Sequence, residues 1–120
     1  MAGYLRAIVY SRVSTDAQER DGTSLDTQER ECVEYARVKG WAVVECINDT
    51  ASGSHLDRPG IERVRQLLSQ GFVDVVLAYA VDRLSRNQIH IAVLLDDIEK
   101  VGAALEFVTE DFENTPVGRL

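Results

Sequence analysis

Apolar positions along the chain alternate between short β-type runs and longer stretches of helical period. Leu5-Arg6-Ala7-Ile8-Val9-Tyr10 is the first short run and predicts a strand. A polar stretch from Ser11 to Thr23 follows. Ser24 then stands where an N-cap belongs, and a helix is predicted to Lys39, with Gly40 placed to end it. Leu25, Cys32, Val33, Ala36 and the body of Tyr35 fall roughly on one face of that helix. Trp41 to Ile47 reads as a second strand.

Asn48 to Arg58 is rich in Asp, Ser, Thr and Gly and predicts a loop. Pro59 suits the first turn of a second helix, in which Ile61, Val64, Leu67 and Leu68 supply the buried stripe and Gly71 the close. Val73 to Tyr79 is apolar enough to be a strand covered on both faces. A polar link, Asp82 to Asn87, leads into a helix carrying Ile91, Leu94, Leu95, Ile98 and Val101, closed by Gly102. Ala104 to Val108 is a fourth strand. Strands alternating with helices predict an α/β domain with a mostly parallel central sheet of about four to five strands flanked by helices.

Composition narrows the picture without naming a function. The 120 residues, 45% hydrophobic and 28% charged, suit one ordinary globular domain. No apolar run approaches the roughly 20 residues of a membrane-spanning helix, and the N-terminus lacks the form of a signal peptide, so the cytoplasm is the expected compartment. Cys32 and Cys46 show no C-x-x-C spacing and are expected as buried reduced thiols, with no metal site. Thirteen basic against 20 acidic residues give a net charge of −7, which argues against this chain gripping a polyanion by its average field.

Candidate chemistry gathers where ligands bind in open parallel sheets, beyond the carboxyl ends of the strands. The polar links after Tyr10, Ile47 and Tyr79 are expected at one edge. They deliver Arg12 and Ser14, then Asp49 and Arg58, then Asp82, Arg83 and Arg86. Arginine forks match phosphate oxygens and keep their charge, so four of them beside a serine suit phosphoryl transfer. A cluster of arginines would lower the serine's pKa by charge alone. A Ser–His–Asp triad through His55 or His90 has no motif behind it. Blander roles stay open: Thr15-Asp16-Ala17-Gln18 fits a capping box, Asp82 fits a cap, Arg83 and Arg86 fit a solvated helix start, and Asp49 with Arg58 fits a surface pair. Periodicity alone reaches only a phosphate-handling α/β domain.

Tyr10-Ser11-Arg12-Val13-Ser14-Thr15 resembles the Y-x-R-V-S-T signature of the serine recombinases, the family of resolvases, invertases and phage-type integrases. Further segments follow in that family's order. Ser24-Leu25-Asp26-Thr27-Gln28 resembles its S-L-x-x-Q, and Asp49-Thr50-Ala51-Ser52-Gly53 its D-x-x-S-G. Asp57-Arg58-Pro59-Gly60 is similar to its D-R-P-G, and Asp82-Arg83-Leu84-Ser85-Arg86 to its D-R-L-x-R. The resemblance implies a resolvase-like three-layer domain and site-specific recombination of double-stranded DNA, as in integrases, transposases and resolvases. Ser14 would be the nucleophile, forming a covalent 5′-phosphoserine link without metal, ATP or any other cofactor. Arg12, Arg58, Arg83 and Arg86 would contact the scissile phosphate, and Asp82 would orient them or assist proton transfer. Tyr10, Gln18, Gln28 and Asp49 would support the site, Gln18 matching more loosely.

The stretch between Ser14 and Ser24, including Glu19-Arg20-Asp21-Gly22, is longer than compact resolvases carry and resembles the large serine recombinases of phages and integrative elements. Thr115-Pro116-Val117-Gly118-Arg119-Leu120 resembles the start of the family's long oligomerisation helix. Residues 1–120 are therefore expected to be a catalytic domain cut at that helix, with a basic DNA-binding region beyond it. Self-association from dimer to synaptic tetramer would belong to the full-length protein, and the piece alone would bind DNA weakly and recombine nothing. A competing reading is a catalytically idle resolvase-like module kept for oligomerisation or regulation. A small phosphoester-transfer enzyme is less favoured for want of a Gly-rich phosphate loop.

Overall fold

The computed structural model describes residues 5–13, 24–50 and 58–109. Within them the chain runs β1 (Arg6–Val13), α1 (Leu25–Lys39), β2 (Ala42–Thr50), α2 (Pro59–Ser69), β3 (Val75–Ala78), α3 (Val81–Leu84), α4 (Gln88–Lys100) and β4 (Ala104–Phe107). The strands form one four-stranded sheet in the order β2-β1-β3-β4, and every pairing is parallel. The alternating α/β architecture predicted from apolar spacing is present.

Strand alternation divides the core in two. Ile8 and Tyr10 of β1 pack with Val76, Leu105 and Phe107 against Ile61, Val64 and Leu68 of α2 and Leu94 and Ile98 of α4. Val9 and Leu77 point the other way, against Cys32 and Ala36 of α1. The result is three layers, with α1 on one side of the sheet and α2 and α4 on the other. Each fully buried Leu, Ile, Val or Phe contributes roughly 1.5–3 kcal/mol.

Local signals set the helix ends. Ser24 caps α1, its hydroxyl accepting from the Thr27 amide, and Gly40 closes it in the left-handed conformation with φ 79°. Asn87 caps α4, its Oδ1 accepting from Ile89 N–H at 2.8 Å.

Several expectations are corrected. Val33 is 39% exposed; Gln28, four residues before Cys32, takes a place on the buried face of α1. Val101 is the exposed C-cap residue of α4 rather than part of its buried stripe. Cys46 is exposed on β2, and only Cys32 is buried, because β2 is an edge strand. β1 and β2 both outrun their apolar signal, pairing on through Arg12↔Asp49 and Val13↔Thr50. Polar side chains end a hydrophobic pattern, but a ladder needs only backbone groups. Half of the expected polar link after Tyr79 folds into the single turn α3.

The topology locates the functional edge. From β1 the chain moves outward to β2, then returns across β1 to β3 and continues to β4. Strand order therefore reverses between β1 and β3, and the crevice at their carboxyl ends is where such sheets receive ligands. Among the described residues no helix is long and apolar enough to cross a membrane.

Candidate active site

Arg12 lies near the end of β1, past the last β1–β3 pair, Tyr10↔Ala78. It shares a face with Ile8 and Tyr10, and it is buried. Its guanidinium crosses the switch point to α3, where Nε donates to the Arg83 carbonyl at 3.2 Å and Nη2 to the Asp82 carbonyl at 2.5 Å. Arg58 arrives from the other direction, as the N-cap residue of α2. It too is buried, and its Nη2 donates to the Leu84 carbonyl at 2.6 Å. The last carbonyls of any helix lack intrahelical donors. Here two arginines supply donors to three consecutive carbonyls of a one-turn helix. That arrangement draws Arg12, Arg58 and Arg83 into one neighbourhood.

Gln28 holds the end of β1 in place. Its Oε1 accepts from the Arg12 amide at 3.0 Å, and its Nε2 donates to the Arg12 carbonyl at 2.9 Å. β2 continues to Thr50 and supplies a paired backbone on one side of β1, whereas β3 ends at Ala78. The Gln28 side chain stands in for the missing strand.

Asp49 ties three elements together. Its Oδ2 accepts from the Tyr10 hydroxyl at 2.6 Å, and its Oδ1 accepts from the Gly60 amide at 2.8 Å. The Tyr10 phenol is held well above its ordinary pKa, first by burial and second by this bond to a carboxylate. Nearby Arg58 and Arg12 oppose that shift without reversing it. The Arg58 guanidinium carbon sits 5.7 Å from the centre of the Tyr10 ring, in cation–π range.

The remaining candidates divide. Arg83 is buried on α3, whereas the Asp82 side chain is 61% exposed, its Oδ1 lying 3.7 Å from Arg83 Nε. Arg86 is exposed at the bend between α3 and α4. Ser14, the residue after β1, and Gln18 lie outside the described residues, as does the segment after Thr109. Tyr10, Arg12, Gln28, Asp49, Arg58 and Arg83 are thus brought to one edge. Among the described residues no cluster of three or more His, Cys, Asp or Glu is placed to hold a metal ion.

Sequence reasoning missed Gly60 and the α3 carbonyls. The signal for the first was present: Arg58 at an N-cap, followed by Pro59, is a helix start with no side-chain cap of its own.

Known proteins resemble this chain in sequence and fold. A putative DNA recombinase of Bacillus subtilis (strain 168) is 35% identical over 112 residues, which cover 93% of this chain and 22% of that protein. A DNA-invertase of Enterobacteria phage P7 is 34% identical over 113 residues, covering 93% of this chain and 54% of the invertase. The chain therefore spans from about a fifth to about half the length of these relatives. Among solved structures, the N-terminal catalytic domain of TP901-1 integrase is similar with a TM-score of 0.83 at 30% identity, covering 95% of this chain and 86% of that one. The C-terminal catalytic domain of ISC1926 TnpA, an IS607-like serine recombinase, gives 0.75 at 35% identity, covering 87% and 70%. Residues 7–120 match the family described as "Resolvase, N terminal domain", and the chain belongs to it, with the fold of a serine recombinase catalytic domain.

Proposed function

We propose that this domain cuts and rejoins DNA through a covalent phosphoserine intermediate at Ser14, as part of a longer site-specific recombinase. Membership of the family supports the recombination reaction, and one structural observation carries the assignment of residues. Arg12 and Arg58, from different elements, converge on α3 beside Arg83, at the end of the strand that Ser14 immediately follows.

In the proposed step the Ser14 hydroxyl oxygen attacks a DNA phosphorus. The bond from phosphorus to the 3′ oxygen breaks, the 5′-phosphate stays on the serine, and the released 3′ oxygen takes up a proton. Arginine charge favours the serine alkoxide and offsets the charge gained by the phosphorus centre. Arg12, Arg58, Arg83 and Arg86 are the phosphate contacts in this reading. Asp82, Tyr10, Gln18, Gln28 and Asp49 hold or orient them. Resealing is the same reaction reversed, so the phosphodiester energy is conserved. No metal or cofactor is required by this scheme.

The net charge of −7 supports a DNA affinity that resides elsewhere. A basic region outside these 120 residues would choose the site, and subunits would associate from dimer to tetramer to exchange strands, in the cytoplasm. The isolated domain is expected to bind DNA weakly and to recombine nothing. One observation favours the idle-module reading: Arg12 and Arg58 already cap α3, a use that needs no DNA. Mass spectrometry of the full-length protein, trapped on its DNA and digested with nuclease, separates the two. A nucleotide 5′-linked to Ser14, absent from Ser14→Ala, is the expected result. Recombination that persists in Ser14→Ala would sink the proposal.

A further inference from the structure

Gly60 is a helical residue, and its backbone does not need glycine. Among the described residues the glycines with positive φ are Gly40, Gly71 and Gly102, and Gly60 is not one of them. It is the second residue of α2, where glycine is intrinsically a poor choice. What requires it is space. A Cβ built at Gly60 would lie 2.5 Å from Asp49 Oδ2, 2.7 Å from its Cγ and 2.9 Å from Oδ1. Even alanine would push the carboxylate away.

That carboxylate does for α2 what its own N-cap cannot. Arg58 has no side-chain cap bond, and Pro59 has no N–H. The first amide left to satisfy is that of Gly60, and Asp49, reaching across from β2, accepts from it at 2.8 Å. A negative charge at a helix N-terminus is favourable, so the bond fixes where α2 begins. Its other oxygen is fixed in turn by the Tyr10 hydroxyl on β1 at 2.6 Å. An N-cap supplied from another strand leaves the Arg58 side chain available to lie along the Tyr10 ring and reach Leu84.

We propose that Gly60 is a positioning residue for Arg58: by lacking a side chain it admits the Asp49 carboxylate as the cap of α2, and the Tyr10–Asp49–Gly60 chain thereby sets the Arg58 guanidinium at α3. The functional side of this inference rests on the phosphate-site reading. Its geometric side does not. Three predictions distinguish it from simple packing. Removing any link should release Arg58. Removing two should do no more than removing one, because they act in series. An equally destabilising change elsewhere should leave Arg58 where it is.

The test is NMR of the 15N-labelled 120-residue chain, reading the Arg58 guanidinium signals with and without inorganic phosphate. In the unsubstituted chain, slow rotation at the Leu84 bond should keep the Arg58 Nη signals resolved, and phosphate should shift Arg58 Nε. In Gly60→Ala and in Asp49→Ala the Nη signals should merge and the apparent phosphate affinity at Arg58 should fall at least fivefold. The double variant should match either single one. Leu105→Ala, destabilised in the core away from the site, should behave as the parent when compared below its melting range. Should Gly60→Ala not fold, Tyr10→Phe removes only the hydroxyl and should loosen Arg58 in the same direction.

Unchanged Arg58 signals in Gly60→Ala, or in Tyr10→Phe should Gly60→Ala not fold, would overturn the proposal. So would losses in the double variant that multiply. A parent chain whose Arg58 is held but ignores phosphate would count against the phosphate-site reading alone.

Discussion

The Gln28 side chain is hydrogen-bonded to both backbone groups of Arg12, accepting from its amide at 3.0 Å and donating to its carbonyl at 2.9 Å. An amide side chain has one acceptor and one donor end, the same pair that a neighbouring strand would offer. Substitution should therefore fail in a graded way. Gln28→Glu keeps an acceptor for the Arg12 amide but loses the donor and buries a charge beside a carbonyl. It should destabilise the domain by about 2–4 kcal/mol, against about 1–3 kcal/mol for Gln28→Met, which leaves both groups unpaired without a charge. Urea denaturation of the two variants checks the order; a smaller loss in Gln28→Glu would show that the retained bond to the Arg12 amide outweighs the cost of the buried charge.

How far this was legible beforehand depends on what kind of signal each residue leaves. The strand–helix alternation was readable because Ile8, Val76, Leu105 and the stripe from Ile61 to Leu68 report burial through apolar spacing. The D-R-P-G and Y-x-R-V-S segments were readable as motifs. Gln28, Arg12 and Asp49 are also buried, but they act through backbone groups and through polar contacts distant in sequence. No periodicity records such contacts. The same reason hid α3, whose carbonyls are satisfied by Arg12 and Arg58 from outside. Exposure of Cys46 was hidden by topology, since nothing local marks β2 as an edge strand.

The two thiols should react very differently. Cys32 is buried between α1 and the sheet, and desolvation pushes its pKa up to about 12, whereas Cys46 is exposed and also raised, again chiefly by desolvation. Reactivity follows thiolate fraction and access together. At about pH 8 a disulfide reagent should modify Cys46 first, and Cys32 only at the rate of opening, at least a hundredfold slower. Modification of both at one rate in the native chain would contradict the packing of α1.

Alkaline stability follows from two buried acids. Tyr10 and Cys32 have native pKa values raised above their ordinary values of 10.0 and 9.0. The native state then holds protons that the unfolded chain releases. Their contribution is full below about pH 9 and lost as pH rises, through Cys32 first and Tyr10 beyond about pH 10. Above that point each should add about 1.4 kcal/mol of lost stability per pH unit. Tyr10→Phe and Cys32→Ala should each flatten the slope of unfolding free energy by one proton's worth, with Cys32→Ala acting at the lower pH. Parallel curves for all three proteins would refute the assignment.

Ser11 offers a sharper separation of stability from function. Its hydroxyl is buried in β1 between Tyr10 and Arg12, and among the described residues it meets no hydrogen-bond partner. A buried hydroxyl without a partner costs about 1–3 kcal/mol relative to an apolar group of similar shape. Ser11→Ala removes that cost with little change in volume, so it should raise the unfolding free energy by about 1 kcal/mol in urea titration. Ser11 also stands three residues before Ser14, in the strand that leads into the proposed nucleophile. A hydroxyl kept at the expense of stability three residues before the proposed nucleophile fits the general exchange of stability for activity. Ser11→Ala in a full-length recombinase should therefore melt higher yet form less Ser14-linked DNA. A variant both more stable and fully active would mean that the hydroxyl is unrelated to the site, and one that melts lower would mean that it has a partner in the folded chain.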